Sequence, residues 1–324
     1  MSLFPTKLAR LEKDLSSRLQ AVENMLLSEI ASDYELADIT ARHLVDAGGK
    51  RFRPLLVLLA AQFGDPDAPG VVPAAVVVEL THLATLYHDD VMDEAQVRRG
   101  APSANSRWGN TVAILSGDFL FARSSKILAD LGPEAVRIQA ETFERLVVGQ
   151  LRESVGPQAG EDPVAHHIQV LSDKTGSLIA AAGRYGAMMS GVDPQTTDAI
   201  ANFGECIGVL FQLSDDLLDI ESEVSGKAPG TDLREGIKTL PVLLALADPE
   251  TSDELRELLS RPLPNEQEHQ EALKLLRAHP AIDRAKAVLQ EWADQARIQL
   301  QVLPDVPARA ALNILIDGVI DRES

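Results

Sequence analysis

The chain has 324 residues, of which 45% are apolar and only 4% are aromatic. This apolar content can fill a substantial core, and few aromatic residues beside abundant Ala, Leu and Val favour packed helices over a sandwich of strands. Forty-nine acidic residues against thirty basic ones give a net charge of −19, which excludes nucleic acid as an expected partner. An all-α protein is predicted, whose anionic ligands need local basic residues or metal ions.

Cysteine content and hydropathy indicate where the protein works. The single cysteine, Cys206, cannot form an internal disulfide and lies in an apolar segment. We find no signal-peptide pattern and no run of about 18 apolar residues that would span a membrane. We therefore expect a cytoplasmic protein without stable membrane insertion. No connection is long and polar enough for a linker, so a single domain over 1–324 is predicted.

The predicted elements are helices throughout. Helical spacing over 8–44 predicts one N-terminal helix, which a glycine pair ends, and Pro54 suits the start of a helix over 55–63. The β-branched run that begins at Val71 continues without turn residues to Asp89, which predicts a long buried helix. Further helices are predicted over 111–131, 133–155, 164–190, 194–222, 240–246, 252–259, 266–278 and 281–303. No hairpin signal of the Asn-Gly or Asp-Gly kind is present.

Two aspartate triplets share the spacing i, i+1, i+4 and lie in apolar segments. They are Asp89, Asp90 and Asp93, and Asp215, Asp216 and Asp219. The spacing places three carboxylates on roughly one helix face, where they repel one another and are costly to bury. One triplet alone could be a solvated helix end, but two identical ones predict bound cations. Mg²⁺ fits best because it takes carboxylate oxygens and bridges to phosphates, whereas one cysteine and scattered histidines do not suit Zn²⁺.

Basic residues lie near the first triplet in sequence. Arg98 and Arg99 follow it, and Lys50, Arg51 and Arg53 precede the predicted helix at 55. Forked guanidinium donors and the backbone N–H groups of a helix start both suit diphosphate oxygens. Together with two metal sites, these basic residues predict two polyanionic ligands.

In this order along most of the chain, the motifs resemble those of the trans-isoprenyl diphosphate synthases, the polyprenyl synthetase family. The resemblance rests on both D-D-x-x-D motifs and on segments 49–54, 79–100, 117–118, 174–176, 211–219 and 226–241. It implies an isoprenoid synthase bundle of about ten or more helices around a central cavity, working as a homodimer. It also implies that the two clusters face one another across the cavity mouth.

The resemblance assigns roles to individual residues. Both aspartate clusters would bind Mg²⁺, about three ions per site with substrate present, with Asp219 either a ligand or a support for the others. The residues implied for the allylic diphosphate are Arg98, Lys174, Thr175, Gln212 and Lys227, and those for isopentenyl diphosphate are Lys50, Arg53, His82 and Arg99. Thr175 and Gly176 also predict a helix kink. One departure is that Lys238 stands one residue later than the lysine that many relatives carry after Glu-Gly.

The implied reaction is a Mg²⁺-dependent 1′-4 condensation of isopentenyl diphosphate with an allylic diphosphate, giving an all-trans polyprenyl diphosphate. Arg98 and Lys174 would stabilise the diphosphate as it leaves. Ala84 and Thr85 lie about one turn before the first cluster. In the family, bulky residues there stop chain growth, so these small ones favour a long-chain product of the kind attached to quinones. A farnesyl or geranylgeranyl product is the alternative.

Other classes remain open at this point. A His-Asp metal phosphohydrolase is suggested by His82 and by His88 next to Asp89, but it leaves the second cluster without a role. A terpene cyclase would share the bundle, yet its second site usually mixes Asn, Ser and Glu. A non-catalytic partner subunit is also possible, although intact clusters argue against it.

Overall fold

The computed structural model describes residues 8–221 and 229–321, and the all-α prediction is confirmed. The helices, in chain order, are α1 (Ala9–Ile30), α2 (Glu35–Asp46), α3 (Phe52–Ala61), α4 (Val71–Met92), α5 (Ala104–Trp108), α6 (Asn110–Leu131), α7 (Pro133–Val155), α8 (Pro163–Leu171), α9 (Ser177–Met189), α10 (Pro194–Glu221), α11 (Thr231–Glu235), α12 (Leu240–Ala247), α13 (Asp253–Leu259), α14 (Glu266–Arg277), α15 (Ala281–Gln301) and α16 (Pro307–Ile320). Strands β1 (Val97–Arg98) and β2 (Ala101–Pro102) follow α4. A π-helical turn, Ser172–Gly176, joins α8 to α9.

Two compact units make up the chain. The first comprises Met1–Phe143, Leu178–Ala201 and Leu303–Ala311. The second comprises Glu144–Ser177, Asn202–Val302 and Leu312–Ser324. The first aspartate cluster belongs to the first unit and the second cluster to the second unit.

Helix α4 is the core of the first unit. It packs against α1, α3 and α6, and Val71, Val76, Val77 and Val78 of its β-branched run are fully buried. By length and composition alone, α4 could also cross a membrane. However, 67% of its most apolar stretch is buried inside the protein. A helix that is apolar on most faces and covered by neighbours is a core helix.

Helix α12 occupies the corresponding place in the second unit. Nearly all of its residues are apolar, and it packs against α8, α13, α14 and α15. Cys206 is buried in the same unit, and burial raises the pKa of its thiol to about 11. The thiol is therefore unreactive at neutral pH.

The N-terminal region differs from its prediction. The single helix over 8–44 was wrong, because α1 ends at Ile30 and Ala31 is extended with ψ 140°. The side chain of Asp38 accepts a hydrogen bond from the backbone N–H of Ser32 at 3.2 Å. Such local side-chain bonds compete with helix continuation. Helix α3 begins at Phe52, three residues before its predicted start.

A short hairpin was also missed. Strands β1 and β2 pair antiparallel with Arg98 opposite Ala101, around Arg99 and Gly100. Both turn residues have positive φ, 53° and 77°, as a type I′ turn requires. An arginine in the first position carries no recognisable hairpin signal, since Asn, Asp and Gly usually occupy it.

Candidate active site

Helix α4 places the three aspartates of the first cluster in different environments. Asp89 is half-buried, Asp90 has no exposed surface, and Asp93 is exposed at the helix end. Arg98 donates from Nε to Asp90 Oδ1 at 2.5 Å. The short β1–β2 hairpin therefore turns the chain back so that a cation meets the buried carboxylate.

The second carboxylate oxygen of Asp90 is a candidate metal ligand. Among the described residues, no protein group donates a hydrogen bond to Oδ2, although this atom is buried. Burial raises the pKa of Asp90 above its ordinary value, Asp93 adds to the rise, and Arg98 opposes it. An unpaired buried carboxylate oxygen is costly, so a cation at Oδ2 would be favourable.

Beside this cluster, the buried carboxylate of Glu79 lies among three arginines, Arg51, Arg53 and Arg99. Arg51 donates to Glu79 Oε1 at 3.0 Å and forms an ion pair with Glu23. Arg99 donates from Nη1 to the backbone carbonyls of Leu44, at 2.8 Å, and of Gly48. Arg51 and Arg99 both have positive φ, 49° and 53°. Non-glycine residues in this region store strain that is common at functional sites.

Arg53 and His82 share this environment. Burial lowers the pKa of Arg53 to about 10, Glu79 opposes the shift, and Arg99 reinforces it. No described group accepts a hydrogen bond from the buried Arg53 Nε. Burial and then the nearby arginines hold the pKa of His82 well below its usual range, so its imidazole is neutral at pH 7. Lys50 is exposed at the edge of the group, and an incoming anion would meet four cations and a neutral donor.

In the second cluster, Asp216 is held by protein donors. His167 Nε2 bonds to Asp216 Oδ2 at 2.8 Å, and the backbone N–H of Leu240 donates to the same oxygen at 3.2 Å. Asp216 is 7% exposed and Asp215 is half-buried. His167 thus orients a candidate ligand from behind, as hydrogen-bond partners of metal ligands commonly do.

Asp219 stabilises the start of α11. Its Oδ1 accepts from the backbone N–H of Thr231, and its Oδ2 accepts from that of Asp232, each at 3.1 Å. These are first-turn N–H groups, which have no partner within a helix. The geometry favours a supporting role for Asp219.

The remaining allylic-site candidates lie in the second unit. Lys174 and Thr175 are half-buried on the π-helical turn, which lies at the predicted kink, and Lys174 forms an ion pair with Glu153. Gln212 is half-buried on α10. Lys227 lies outside the described residues. Lys238 is exposed between α11 and α12.

The chain-length candidates lie one turn before the first cluster. Ala84 is fully buried on α4, and the backbone of α6 passes so closely that a Cβ at Gly117 would lie 3.0 Å from the Ala84 carbonyl oxygen. Thr85 is half-buried and donates to the carbonyl of His82 at 2.8 Å. Both side chains are small, as the long-chain interpretation requires.

His88 does not favour the phosphohydrolase interpretation. Its Nε2 lies 3.1 Å from the carbonyl oxygen of Ile114 and 3.4 Å from Asp118 Oδ1. A carbonyl only accepts hydrogen bonds, so this nitrogen carries the proton and cannot bind a metal ion. His88 therefore joins α4 to α6.

Several residues that shape the site were not predicted. Sequence reasoning missed the roles of Glu79, Arg145, Glu153, His167 and Glu205. They are acidic, basic or histidine side chains on helices, where solvated charge is the ordinary interpretation. Only their tertiary partners distinguish them.

The donor set fits magnesium. Within residues 8–221 and 229–321, no group of three or more His, Cys, Asp or Glu side chains forms a ready-made metal cage. Mg²⁺ does not need one, because it keeps several waters and is commonly held by one or two carboxylates together with substrate phosphates. The buried Asp90 Oδ2 supplies an oxygen of the required kind.

Comparison with known proteins identifies the family of this chain. The sequence profile of the family described as polyprenyl synthetase matches residues 35–276. A nonaprenyl diphosphate synthase from Mycobacterium tuberculosis is 52% identical over 306 residues, which cover 93% of this chain and 91% of the relative. Both matches include the two aspartate clusters.

Solved structures match along nearly the whole chain. A geranylgeranyl pyrophosphate synthase from Corynebacterium glutamicum, complexed with calcium and isoprenyl diphosphate, is 44% identical with a TM-score of 0.88, covering 98% of each chain. A decaprenyl diphosphate synthase from Rhodobacter capsulatus is 33% identical with a TM-score of 0.86, covering 97% of this chain and 99% of that one. The chain described here belongs to the polyprenyl synthetase family.

Proposed function

We propose that this prenyltransferase condenses isopentenyl diphosphate with an allylic diphosphate, head to tail, in a Mg²⁺-dependent reaction. The observation that carries the proposal is the pair of D-D-x-x-D clusters, each with one deeply buried aspartate, Asp90 and Asp216, in a chain of this family. At Asp90, a buried carboxylate oxygen has no donor among the described residues, so another positive partner would be favourable there. Metal ions bound to a diphosphate would supply that partner.

The allylic substrate is assigned to residues from both clusters. Metal-binding roles are proposed for Asp89, Asp90, Asp93, Asp215 and Asp216, with Asp219 as a support. When bound, Mg²⁺ would stabilise the charge that develops on the departing diphosphate. Arg98 and Lys174 are proposed as further diphosphate donors, and Thr175, Gln212 and Lys227 as the remaining allylic-site residues.

Isopentenyl diphosphate is assigned to the arginine group around Glu79. Lys50, Arg53 and Arg99 supply positive charge, and the neutral His82 supplies a hydrogen bond. The environment of Arg53 supports this role, because no described group accepts a hydrogen bond from its buried Nε. A diphosphate would provide that acceptor.

The chemistry needs no protein nucleophile. The allylic C–O bond breaks, and its electron pair leaves with the diphosphate. The double bond of isopentenyl diphosphate then attacks the allylic cation, forming a C–C bond, and a proton passes to the released diphosphate. Water must be excluded while the cation exists.

A long-chain product, a precursor of quinone side chains, is the proposed outcome. The small side chains at Ala84 and Thr85 support it, as does the identity of 52% with a nonaprenyl diphosphate synthase. The similarity of 44% to a geranylgeranyl pyrophosphate synthase supports the short-chain alternative.

Incubation of the purified chain with farnesyl diphosphate, isopentenyl diphosphate and Mg²⁺ tests the proposal, with mass spectrometry of the products. We expect all-trans products longer than geranylgeranyl diphosphate. Termination at that length would establish the short-chain alternative. Hydrolysis without condensation would contradict the prenyltransferase assignment, and activity only after addition of a second subunit would show a two-component enzyme.

Ala84→Phe tests the chain-length assignment. We expect shorter products, because a phenyl ring one turn before the first cluster would block the growing chain. Because Ala84 is fully buried, overpacking could cost about 1–3 kcal/mol of stability, so Thr85→Phe at the half-buried neighbour serves as the companion variant. An unchanged product distribution in both variants would remove this assignment.

A cytoplasmic homodimer is the proposed working form. The family resemblance and exposed apolar side chains such as Leu115 and Leu151 support it. Light scattering after size exclusion would give twice the chain mass of 35.0 kDa for a dimer. A single-chain mass would contradict it.

A further inference from the structure

The π-helical turn Ser172–Gly176 needs support from its neighbours. A π turn has less favourable hydrogen-bond geometry than the α-helix and is frequent at functional sites. This turn carries Lys174 and Thr175 between α8 and α9. What fixes the turn therefore also fixes these two side chains.

Arg145 on α7 joins the first two residues of the turn to α10. Its Nε donates to Asp173 Oδ1 at 3.0 Å, and its Nη2 donates to Ser172 Oγ at 2.9 Å. Glu205 on α10 accepts from both terminal nitrogens, at 3.2 and 2.8 Å. The rigid fork of a guanidinium can satisfy several acceptors in one plane. One side chain thus ties three elements together.

The oxygens that face Arg145 are well ordered by further bonds. Ser172 Oγ donates to Glu205 Oε1 at 2.5 Å, and Gln169 donates to Asp173 Oδ2 at 3.0 Å. The hydroxyl of Ser177 donates to the Asp173 carbonyl at 2.6 Å. The turn is therefore held by side chains on both flanks.

Two glycines allow the close approach. A Cβ at Gly149 would lie 2.9 Å from Asp173 Cβ and 3.1 Å from the backbone nitrogen of Lys174. A Cβ at Gly176 would lie 3.2 Å from the Glu205 side chain. The turn therefore rests directly on the backbone of α7, where a larger residue would displace it.

Helix α7 also contacts Lys174 itself. Glu153 forms an ion pair with the Lys174 ammonium, and 28% of the lysine side chain and 48% of the glutamate side chain are exposed. Arg145, Gly149 and Glu153 follow one another at intervals of four residues, so they share one face of α7. This face meets the turn along its length.

We propose that this face of α7, formed by Arg145, Gly149 and Glu153, positions Lys174 and Thr175 for the allylic diphosphate. Arg145 is a positioning residue that fixes the turn, and Glu153 holds Lys174 until a diphosphate takes its place. The inference rests on the proposed function, which assigns Lys174 and Thr175 to that substrate.

Arg145→Leu and Arg145→Lys test the positioning role in steady-state kinetics. For Arg145→Leu we expect about a tenfold rise in KM for the allylic diphosphate and a change of less than twofold in KM for isopentenyl diphosphate. Arg145→Lys should recover part of the loss, because an ammonium can reach one carboxylate but cannot form the fork. It also keeps the test decisive if the leucine variant fails to fold.

Glu153→Gln should act in the opposite direction. The Glu153 carboxylate competes with the diphosphate for the Lys174 ammonium. Because exposed ion pairs are weak, removing this charge should lower KM for the allylic diphosphate only about two- to fivefold. Glu144→Gln, an exposed neighbour on α7, is the matched control, and its kinetics should equal those of the wild type.

Hydrogen exchange gives a readout that does not depend on turnover. In Arg145→Leu, the amides of residues 172–178 should exchange at least tenfold faster, while those of α15 remain unchanged. If both KM values change equally, or if the melting temperature falls without a change in KM, Arg145 is a general stabilising residue. Either result would overturn the inference. A wild-type chain without condensation activity would overturn the proposed function first, before any variant is compared.

Discussion

The two aspartate clusters have the same spacing in sequence but different surroundings. In the first, a single cation, Arg98, meets the buried Asp90, and its other oxygen has no donor among the described residues. In the second, Asp216 accepts from His167 and from the backbone of Leu240. The buried aspartate of the first cluster therefore has an oxygen without a donor among the described residues, whereas the buried aspartate of the second cluster is held by two hydrogen bonds.

The third aspartates differ even more. Asp93 is exposed at the end of α4, whereas the Asp219 carboxylate accepts from two first-turn N–H groups of α11. Identical spacing therefore does not imply identical roles. In the first cluster a buried carboxylate oxygen lacks a donor among the described residues, while Asp219 in the second cluster stabilises the start of α11.

The largest expected effect is loss of activity when either buried aspartate loses its charge. Asp90→Asn and Asp216→Asn should each lower kcat/KM by about 10³ or more, since both carboxylates are proposed metal ligands. The helical circular dichroism spectrum should persist. If both clusters serve one diphosphate, the double variant should be little worse than either single variant, because residues that act as a unit are not additive.

A smaller effect is expected at His167, which braces only the second cluster. His167→Phe should raise the Mg²⁺ concentration for half-maximal activity by about tenfold, because loss of an orienting partner weakens metal binding. Electron paramagnetic resonance of bound Mn²⁺ measures the same change without turnover. His167→Gln keeps a donor and should lose less. Unchanged Mn²⁺ affinity in His167→Phe would show that metal binding does not depend on the hydrogen bond from His167 to Asp216.

Substitution of the third aspartate should affect the free energy of unfolding differently in the two clusters. Asp219→Ala should lower the free energy of unfolding by about 1–2 kcal/mol, because it removes the acceptor for helix-start N–H groups. Asp93→Ala should change it by less than about 0.5 kcal/mol, as exposed substitutions commonly do. Urea denaturation compares the two. Equal losses would contradict the different roles assigned here.

The smallest expected effects are on the pH dependence of stability, through two carboxylates that pair with arginines, Glu79 and Glu205. Burial raises the pKa of Glu79 despite its three arginines, so the wild type should lose stability relative to Glu79→Gln as pH rises from about 4.5 through the raised pKa. Burial would also raise the pKa of Glu205, but hydrogen bonds from Arg145 and Ser172 lower it. The ionised Glu205 carboxylate should therefore stabilise the folded state above about pH 4.5, and this stabilisation should be lost as pH falls.

Denaturant titrations between about pH 3 and 7 would measure both curves. The stability differences between the wild type and Glu79→Gln, and between the wild type and Glu205→Gln, should have opposite slopes with pH. Parallel curves would show that the two carboxylates do not differ as the structure indicates.

Much of this protein could be predicted from local patterns. Apolar periodicity located α6, α7 and α10 within a few residues, because those helices have long uninterrupted spacing. It failed at Ser32, where side-chain bonds end α1. It also failed at Arg99, whose positive φ is imposed by a hairpin rather than by its own preference.

The sequence by itself determined the all-α class and the two carboxylate clusters, because helical spacing and side-chain chemistry are local properties, and the order of its motifs carried the resemblance to the family. Only the tertiary structure decided that Asp90 is under-compensated, that Asp219 caps α11, and that Arg145 supports the turn carrying Lys174. The reason is physical: burial and hydrogen-bond partners depend on residues distant in sequence. The partners of Arg145, for example, lie up to 60 positions away.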